Sequence, residues 1–482
     1  MKISRISFFF IMIISLVATI VAIVFNIDIY TAISVEIFII LMGYCVSDYS
    51  KNIFFICFLC SFFIFLISGD YVEYIFDKHY YREYTEEAIV FAHKAICISM
   101  ISMAIGYFFT KVKFVHEDIK KSEALNQNYE NYLITIRKAS LVIFYFAIGI
   151  MIVDRIYAAI FVLANGYFSY YTSYTSFLPN VIVQLGDFAP MGLCFFLATF
   201  PSKKECRWPI RFYLLYAIIG FIVGQRGVLV YNAVFIIGYY LYRNNYYNND
   251  NTVWISKYVL TIIVLFIPFA IVGLMAYGYI REGNEVIYKS LGDTIVNFFV
   301  NIGSSSMCIK YAYMYKPSMP GFRLYSFGTL LNYFKYSPLF NWFNGVEQVA
   351  MHTVKYALQA NNLDAFLSYS SMTNRYLGGQ GLGSSFIAEL YMDFGYIGIA
   401  IGSMVYGFLF KKISGLNRQK WIQTSCQLYV LLALMKTPRG TYGVFVSEIV
   451  NVTFIVAIIV VNFLAQNLVR KKYNGKKMGF AK

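Results

Sequence analysis

The sequence predicts an all-α integral membrane protein with about twelve membrane-spanning helices. Hydrophobic residues make up 59% of the 482 positions and charged residues only 13%, whereas soluble proteins carry about 25% charged residues. Apolar runs near the ~20 residues that cross a bilayer recur along the whole chain. These runs lie at 7–25, 29–46, 52–68, 88–110, 139–164, 181–200, 210–224, 227–242, 257–278, 384–410, 421–437 and 442–466.

The first apolar run follows Lys2 and Arg5 and continues to Phe25. A basic start before an apolar stretch is also typical of a secretory signal peptide. This run is long enough to span a membrane, and further spans follow it. We therefore expect an uncleaved first helix.

Lysines and arginines set the predicted orientation, because cytoplasmic loops of membrane proteins are enriched in both. Basic clusters lie in the connections 111–138, 203–211 and 411–420 and in the tail 470–477. Alternation of the spans puts all four clusters on one side, which predicts that both termini are cytoplasmic. The connections predicted to lie outside are 69–87, 165–180, 278–383 and 437–441, together with a tight turn at 224–227.

This topology divides the chain into three parts. Residues 1–277 form the first nine spans, residues 278–383 form a long outer loop, and residues 384–482 form three spans and a basic tail. Within the loop, 285–302 and 346–359 alternate apolar and polar residues at helical spacing. Pro and Gly between them break helices, so we expect short amphipathic helices over the membrane face.

Composition and motifs exclude several classes of function. The net charge of +15 is spread over short loops, so we expect no nucleic-acid partner. Cys57 and Cys60 form a CxxC inside an apolar run with no histidine or second pair nearby, which indicates buried thiols. The sequence has no zinc-protease motif, P-loop or convincing metal site. We therefore predict no metal and no cofactor.

Two carboxylates occur where the long loop meets the tenth predicted span. Glu389 and Asp393 are four residues apart, so they share one face of a helix. A carboxylate near the membrane is costly unless it faces a wet cavity or a cation. Either can take a proton from an attacking hydroxyl, and Glu389 is our first candidate for the base. The alternative is a structural pair with an arginine.

Two arginines lie in turns that the topology places at this same outer face. Arg226 lies in GQRG and Arg439 in PRG. A guanidinium is permanently charged and binds phosphate oxygens through two parallel hydrogen bonds. The alternatives are an interfacial arginine that reaches the lipid headgroups for Arg226 and a helix-turn anchor for Arg439.

Three further residues complete the candidate set. Arg281 follows the ninth span, and Arg375 precedes the glycine turn of GGQG. Each is a candidate for completing an anion site, although a single loop arginine is usually solvated. His352, the histidine of the long loop, can act as a base near neutral pH.

Some features favour other functions. Asp154 and Arg155 in the fifth span and Asp187 in the sixth either neutralise one another or belong to a proton-coupled transporter. The segment 167–177, YFSYYTSYTSF, has rings that can stack on sugars. An interfacial aromatic belt is the commoner reason for such a segment, and we favour it.

The segment GLGSSFIAELYMDFGYIGIAIGSMVYGFLF, with the GQRG turn, the long outer loop and the PRG turn, resembles the O-antigen polysaccharide polymerases of the Wzy type. The resemblance implies a membrane glycosyltransferase at the outer face of the inner membrane. Such enzymes move a growing glycan from undecaprenyl diphosphate onto a lipid-linked repeat unit, without metal or nucleotide sugar. The resemblance also implies undecaprenyl-diphosphate-linked glycans as substrates, and a flippase and a chain-length regulator as partners.

Two other readings stay open at this point. A lipid-linked oligosaccharide flippase suits the twelve predicted spans and the intramembrane charges. The long outer loop and the lack of two similar halves count against it. An O-antigen ligase also places arginines and a long loop outside, but the Gly-Ser-Ser segment favours a polymerase.

Overall fold

The computed structural model describes residues 5–76, 84–112, 127–167, 169–247, 252–281, 290–336 and 349–479. Every regular element in these ranges is a helix, so the predicted all-α fold is confirmed. The described parts of the chain divide into two compact units, each built from separate stretches of sequence. The predicted division at 277 and 383 concerns membrane topology and stays a prediction.

Seven helices in the described part are long and apolar enough to cross a membrane, and a bent pair of helices gives an eighth. The predicted count of twelve is not confirmed. Trp421–Leu434 has 14 residues, which is roughly 21 Å and shorter than the ~30 Å hydrocarbon core. Lys203–Ile222 and Arg226–Asn245 carry charged and polar residues at their ends, which shorten their apolar stretches. The seven helices are Ile29–Ser47, Tyr49–Phe76, Glu86–Phe109, Tyr129–Asn165, Asn180–Ala198, Lys257–Gly278 and Phe386–Ile413.

The first unit comprises residues 1–112, 262–414 and 433–447. Four fully buried phenylalanines at spacings of one to four residues on Tyr49–Phe62 form part of its core. The ring of Phe58 lies 4.5 Å from that of Phe410 on Phe386–Ile413. The helices within this unit are Arg5–Val24, Ile29–Ser47, Tyr49–Phe62, Phe63–Ile67 (a π-turn), Ser68–Phe76, Glu86–Phe109, Leu291–Gly303, Met307–Tyr315, Gly328–Tyr336, Val354–Gln359, Leu363–Leu377 and Phe386–Ile413, with 3₁₀ turns at Ser304–Ser306, Lys316–Ser318 and Thr437–Arg439.

The second unit comprises residues 113–261, 415–432 and 448–482. Its central helix, Gln127–Asn165, is 39 residues long, and small side chains such as Ala158 let Ile219 pack against it. The other helices within this unit are Ser169–Thr172, Asn180–Gly186, Phe188–Ala198, Lys203–Ile222, Arg226–Asn245, Arg418–Lys420 (3₁₀) and Val452–Gly479. Among the helices that the structure describes, three cross the unit boundaries, namely Lys257–Arg281, Trp421–Leu434 and Val444–Val450.

Asp154 and Arg155 bind hydroxyl groups within the second unit. Asp154 accepts hydrogen bonds from Tyr174 at 3.1 Å and Ser176 at 2.6 Å. Arg155 donates to the hydroxyl of Tyr170 at 3.1 Å. The aromatic segment 167–177 is thus bound to the long helix, which supports a structural role for its rings.

The short helices predicted between 285 and 359 are present in part. Leu291–Gly303 covers most of the first predicted segment and ends one residue beyond it, and Val354–Gln359 covers the end of the second. Residues 282–289 and 337–348 lie outside the described residues. The position of the short helices over a membrane face stays a prediction.

Two glycines bring the helices Glu86–Phe109 and Phe386–Ile413 close together. A Cβ on Gly407 would lie 2.0 Å from the backbone oxygen of Met103, and one on Gly106 would lie 2.0 Å from that of Met404. Small residues at such crossings let membrane helices approach closely. We therefore expect Gly407→Val to separate the two helices and destabilise the fold by about 1–3 kcal/mol.

The matched control is Gly273→Val, because a Cβ on Gly273 meets no atom within 4 Å. Thermal unfolding of both variants, purified in one detergent, measures the difference. Equal melting temperatures for the two variants would contradict the close crossing.

Candidate active site

A glycine-rich loop precedes the helix Phe386–Ile413, and the carboxylate of Asp364 binds the backbone of this loop. The N–H of Gly383 donates to Asp364 Oδ1 at 2.7 Å, and the N–H of Leu382 donates to Ser368 Oγ at 2.9 Å. A Cβ on Gly381 would lie 3.0 Å from Asp364 Oδ2, so a larger residue here would push the carboxylate away from the loop. Gly383 has φ +85°, which glycine adopts without strain. The loop is therefore a fixed element of the unit.

The helix after this loop breaks at Gly395, where φ is +63° and ψ is −149°. Glycine is the residue that reaches this region readily. Leu390, before the break, touches the positions of Gly398 and Gly402 after it. Positions 390 and 402 would be about 18 Å apart along a straight helix. The run 384–410, predicted as one membrane span, is therefore not a single straight helix.

Glu389 is fully buried in the short piece before the break. Its Oε1 accepts a hydrogen bond from Ser384 Oγ at 2.7 Å, and its Oε2 accepts one from the N–H of Tyr442 at 2.8 Å. Both carboxylate oxygens are thus engaged by the protein, and an acceptor hydroxyl has no direct path to either. This geometry favours a positioning role for Glu389 over the role of base.

Asp393 lies one turn further along and is partly buried. It accepts hydrogen bonds from the N–H groups of Tyr325 at 2.9 Å and Ser326 at 2.7 Å, and from Ser326 Oγ at 2.6 Å. The two carboxylates share a helix segment, as predicted, but each binds a different part of the unit. Asp393 fixes the segment 325–326, whereas Glu389 fixes the connection that carries Arg439.

Arg439 is exposed at the end of the 3₁₀ turn Thr437–Arg439. This turn is rigid, because Thr437 is fully buried and its Oγ1 donates to Leu434 O at 2.9 Å. The turn lies beside the glycine loop, since a Cβ on Gly383 would be 3.5 Å from Arg439 Nε. A permanent positive charge is thus presented on a fixed support next to the loop.

His352 and Arg375 lie at one end of the helix Leu363–Leu377. His352 Nδ1 is 3.0 Å from the carbonyl oxygen of Tyr376. Because a carbonyl only accepts, Nδ1 carries the proton, and Nε2 of the neutral ring is left as an acceptor. His352 has φ +57°, and such backbone strain clusters at functional sites. Arg375 is exposed one residue before Tyr376, and its carbonyl accepts from the N–H of Gln380 at 2.9 Å.

The remaining candidates are placed only by their helices. Arg226 is the first residue of Arg226–Asn245 in the second unit and follows a turn at Gly224, whose φ is +99°. The turn predicted at 224–227 is present in part, since Arg226 and Gly227 already belong to the helix. Arg281 is the last residue of Lys257–Arg281, and its side chain lies outside the described part.

Sequence reasoning missed a buried polar network in the first unit. Asp70 Oδ1 is 2.5 Å from Lys310 Nζ, and Asp70 Oδ2 is 3.0 Å from His93 Nε2. All three side chains are buried. Lys310 lies two positions after Cys308, whose thiol contacts the carbonyl of Gly383 at 3.3 Å. The network thereby fixes the short helix that supports the glycine loop.

Asp364 was missed as well. Neither Asp364 nor the network has a local sequence signal, because each partner lies in a different part of the chain. A carboxylate at the start of a short loop helix is common in any sequence.

The reactivity of the Cys308 thiol tests how closely its helix packs against the glycine loop. Burial raises the pKa of its thiol to about 12, and the thiolate is the reactive form. We expect Cys308 in the folded, detergent-solubilised protein to resist a maleimide at pH 8. Peptide mass spectrometry measures the labelling. Met351→Cys, at a side chain that is 71% exposed, should react readily, whereas rapid labelling of Cys308 would contradict this packing.

Substitutions at Glu389 separate positioning from base chemistry. In Glu389→Gln the amide oxygen can accept from the N–H of Tyr442, and the amide nitrogen can donate to Ser384. We therefore expect the catalytic rate of this variant to stay within roughly threefold of the wild-type rate. Glu389→Ala leaves two buried donors without partners, each costing about 1–3 kcal/mol, and activity should fall about tenfold. Equal and complete loss in both variants, at equal membrane expression, would assign Glu389 as the base.

The described residues include no group of three or more His, Cys, Asp or Glu side chains arranged to hold a metal ion. A family model for the O-antigen polysaccharide polymerase Wzy matches residues 3–472. Neither a curated protein nor a solved structure matches the chain significantly. Because the match covers nearly the whole chain, which also carries several membrane-spanning helices, this integral membrane protein belongs to the O-antigen polysaccharide polymerase Wzy family.

Proposed function

We propose that this protein joins undecaprenyl-diphosphate-linked oligosaccharide repeat units into O-antigen or a related surface polysaccharide. The proposed place of reaction is the outer face of the inner membrane. Family membership supports the polymerase activity in general. The observation that carries the proposal for the site is the exposed Arg439 on a buried, rigid turn beside the glycine loop.

The reaction is a substitution at the anomeric carbon of the donor. A hydroxyl oxygen of the acceptor repeat unit forms a bond to this carbon, and the bond from the carbon to the diphosphate oxygen breaks. The proton of the acceptor hydroxyl passes to a base, and undecaprenyl diphosphate leaves with the electron pair. The two needs of the site are therefore a base and fixed positive charge at the leaving diphosphate.

Arginines supply the positive charge in this proposal. Arg439 and Arg375 are both exposed in the first unit, and a guanidinium matches the geometry of phosphate oxygens. Arg281 is proposed as a further contact to the diphosphate or the glycan, and the role of Arg226, in the second unit, stays a prediction from the sequence. We propose no metal and no nucleotide for the reaction.

His352 supplies the base. Its Nδ1 is hydrogen-bonded to Tyr376 O, which leaves Nε2 to accept the proton of an acceptor hydroxyl. Glu389 and Asp393 act through the backbone that they hold, since their oxygens accept hydrogen bonds from the protein. These two carboxylates are positioning residues in this account.

Deletion of the gene in its host, followed by complementation, tests the proposal. We expect the deletion strain to carry one repeat unit on its surface lipid and the complemented strain to carry a ladder of lengths on a gel. Repeat units that accumulate on the cytoplasmic face would identify a flippase. Full-length polymer that stays on undecaprenyl diphosphate would identify a ligase.

A further inference from the structure

The second unit contains a cavity of about 190 Å³ with a strongly basic lining. Four cationic side chains and one carboxylate line it, together with aromatic residues. We call it the basic cavity. The lining residues that matter here are Arg137, Lys203, Glu205, Arg243, Trp254 and Arg418. None of them belongs to the candidate active site.

Arg243 is buried in the cavity wall, with only 4% of its surface exposed. Its Nη1 donates to Pro201 O at 2.9 Å, and its Nη2 donates to Tyr247 O at 3.0 Å. The guanidinium lies 4.3 Å from the ring centre of Trp254. These contacts fix its orientation, but all of them are with neutral groups, so the buried charge is not neutralised by them.

Three buried N–H donors around this cavity have no hydrogen-bond partner among the described residues. They are Arg243 Nε, Trp254 Nε1 and Arg418 Nε. Trp254 is only 3% exposed. Buried donors in folded proteins are nearly always satisfied, and three exceptions around one cavity indicate a site for an acceptor that carries several oxygens.

The single carboxylate of the lining is already engaged. Glu205 accepts two hydrogen bonds from Arg137, at 2.9 and 3.0 Å. It also accepts from the N–H of Ser202, at the start of the helix Lys203–Ile222. The negative charge of Glu205 therefore offsets the positive charge of Arg137. Lys203 donates to Val253 O at 2.7 Å, and its charge adds to that of Arg243.

Arg418 is a further cation of the lining, and one of its terminal nitrogens forms an ion pair. Its Nη2 lies 2.6 Å from Glu130 Oε2, while its Nε has no partner in the described part of the chain. Exposed residues at the rim, such as Ser202 and Lys203, border a buried floor formed by Arg243 and Trp254. The cavity is therefore open to solvent at its rim.

We propose that the basic cavity binds a phosphate-class anion through Arg243, Arg418, Lys203 and the indole N–H of Trp254. A phosphate offers several acceptor oxygens and a negative charge, which suits guanidinium groups. The basic connections place this end of the unit on the cytoplasmic side in the predicted topology, where anionic lipids lie. The two sources of such a group are the headgroup of an anionic lipid and free phosphate.

Native mass spectrometry of the purified full chain distinguishes these sources. The delipidated protein is titrated with phosphatidylglycerol, with phosphatidylcholine and with inorganic phosphate. One bound phosphatidylglycerol per chain, with much weaker binding of phosphatidylcholine, assigns a lipid headgroup. One bound inorganic phosphate that phosphatidylglycerol does not displace assigns free phosphate. Both outcomes support the proposal.

Variants tie the binding to the cavity. We expect Arg418→Gln and Lys203→Gln each to weaken binding about tenfold, and Trp254→Phe about threefold, because each removes a donor to a charged oxygen. The matched controls are Lys204→Gln and Trp208→Phe, which lie outside the lining and are exposed. They should bind as wild type does.

Trp254→Phe keeps the proposal testable if a charge variant fails to fold, since it removes the indole N–H and leaves an aromatic ring in the wall. Melting temperatures confirm that each compared variant is folded. The proposal is overturned if neither probe binds at one site per chain. It is equally overturned if folded cavity variants bind as tightly as their controls.

Discussion

Arg439→Ala will reduce polymerisation by about 100-fold or more, the cost of losing a fixed positive group where charge develops on the diphosphate. The turn Thr437–Arg439 presents this side chain on a buried support next to Gly383. A group held in place needs no reorganisation as the carrier leaves. The rate of bond formation with lipid-linked repeat units in proteoliposomes measures the effect.

A conservative substitution and a distant one complete this test. Arg439→Lys keeps the charge but loses the paired hydrogen bonds of the guanidinium, so we expect a rate between those of wild type and Arg439→Ala. Arg207→Ala, which removes an exposed arginine of the second unit, should not change the rate. A near wild-type rate for Arg439→Ala would show that this turn is not part of the active site.

His352→Ala will also reduce polymerisation by about 100-fold at neutral pH, in the range expected for loss of a general base. The hydrogen bond from Nδ1 to Tyr376 O leaves Nε2 to take the proton. The rate of bond formation with lipid-linked repeat units in proteoliposomes measures the effect.

The neighbouring residue provides the control for His352. Met351→Ala shortens an exposed side chain in the same turn and should keep the wild-type rate. An unchanged rate for His352→Ala would show that another group is the base, and that the left-handed backbone at His352 serves the turn alone.

The sequence was sufficient for the all-α fold class, although not for the number of membrane-spanning helices. Long apolar runs predicted helices, and the turns around Arg226 and Arg439 followed from Gly and Pro. Glu389 and Asp393 lie on one helix segment, as their separation of four residues predicts. These are local properties, which a sequence records directly.

Longer-range properties could not be predicted in this way. The break at Gly395 depends on how Leu390 packs against Gly398 and Gly402, and nothing in the apolar pattern marks it. The burial of Glu389 likewise depends on Tyr442, which lies 53 positions away. A carboxylate expected to face substrate instead binds the backbone of a distant turn.

Reconstituted polymerisation shows whether the purified protein alone joins repeat units. The purified protein in liposomes is given only undecaprenyl-diphosphate-linked repeat units, without nucleotide sugar and with a metal chelator. We predict products of many repeat units and one undecaprenyl diphosphate released per new bond. Products that never exceed one repeat unit, or that lengthen only when nucleotide sugar is added, would contradict the account.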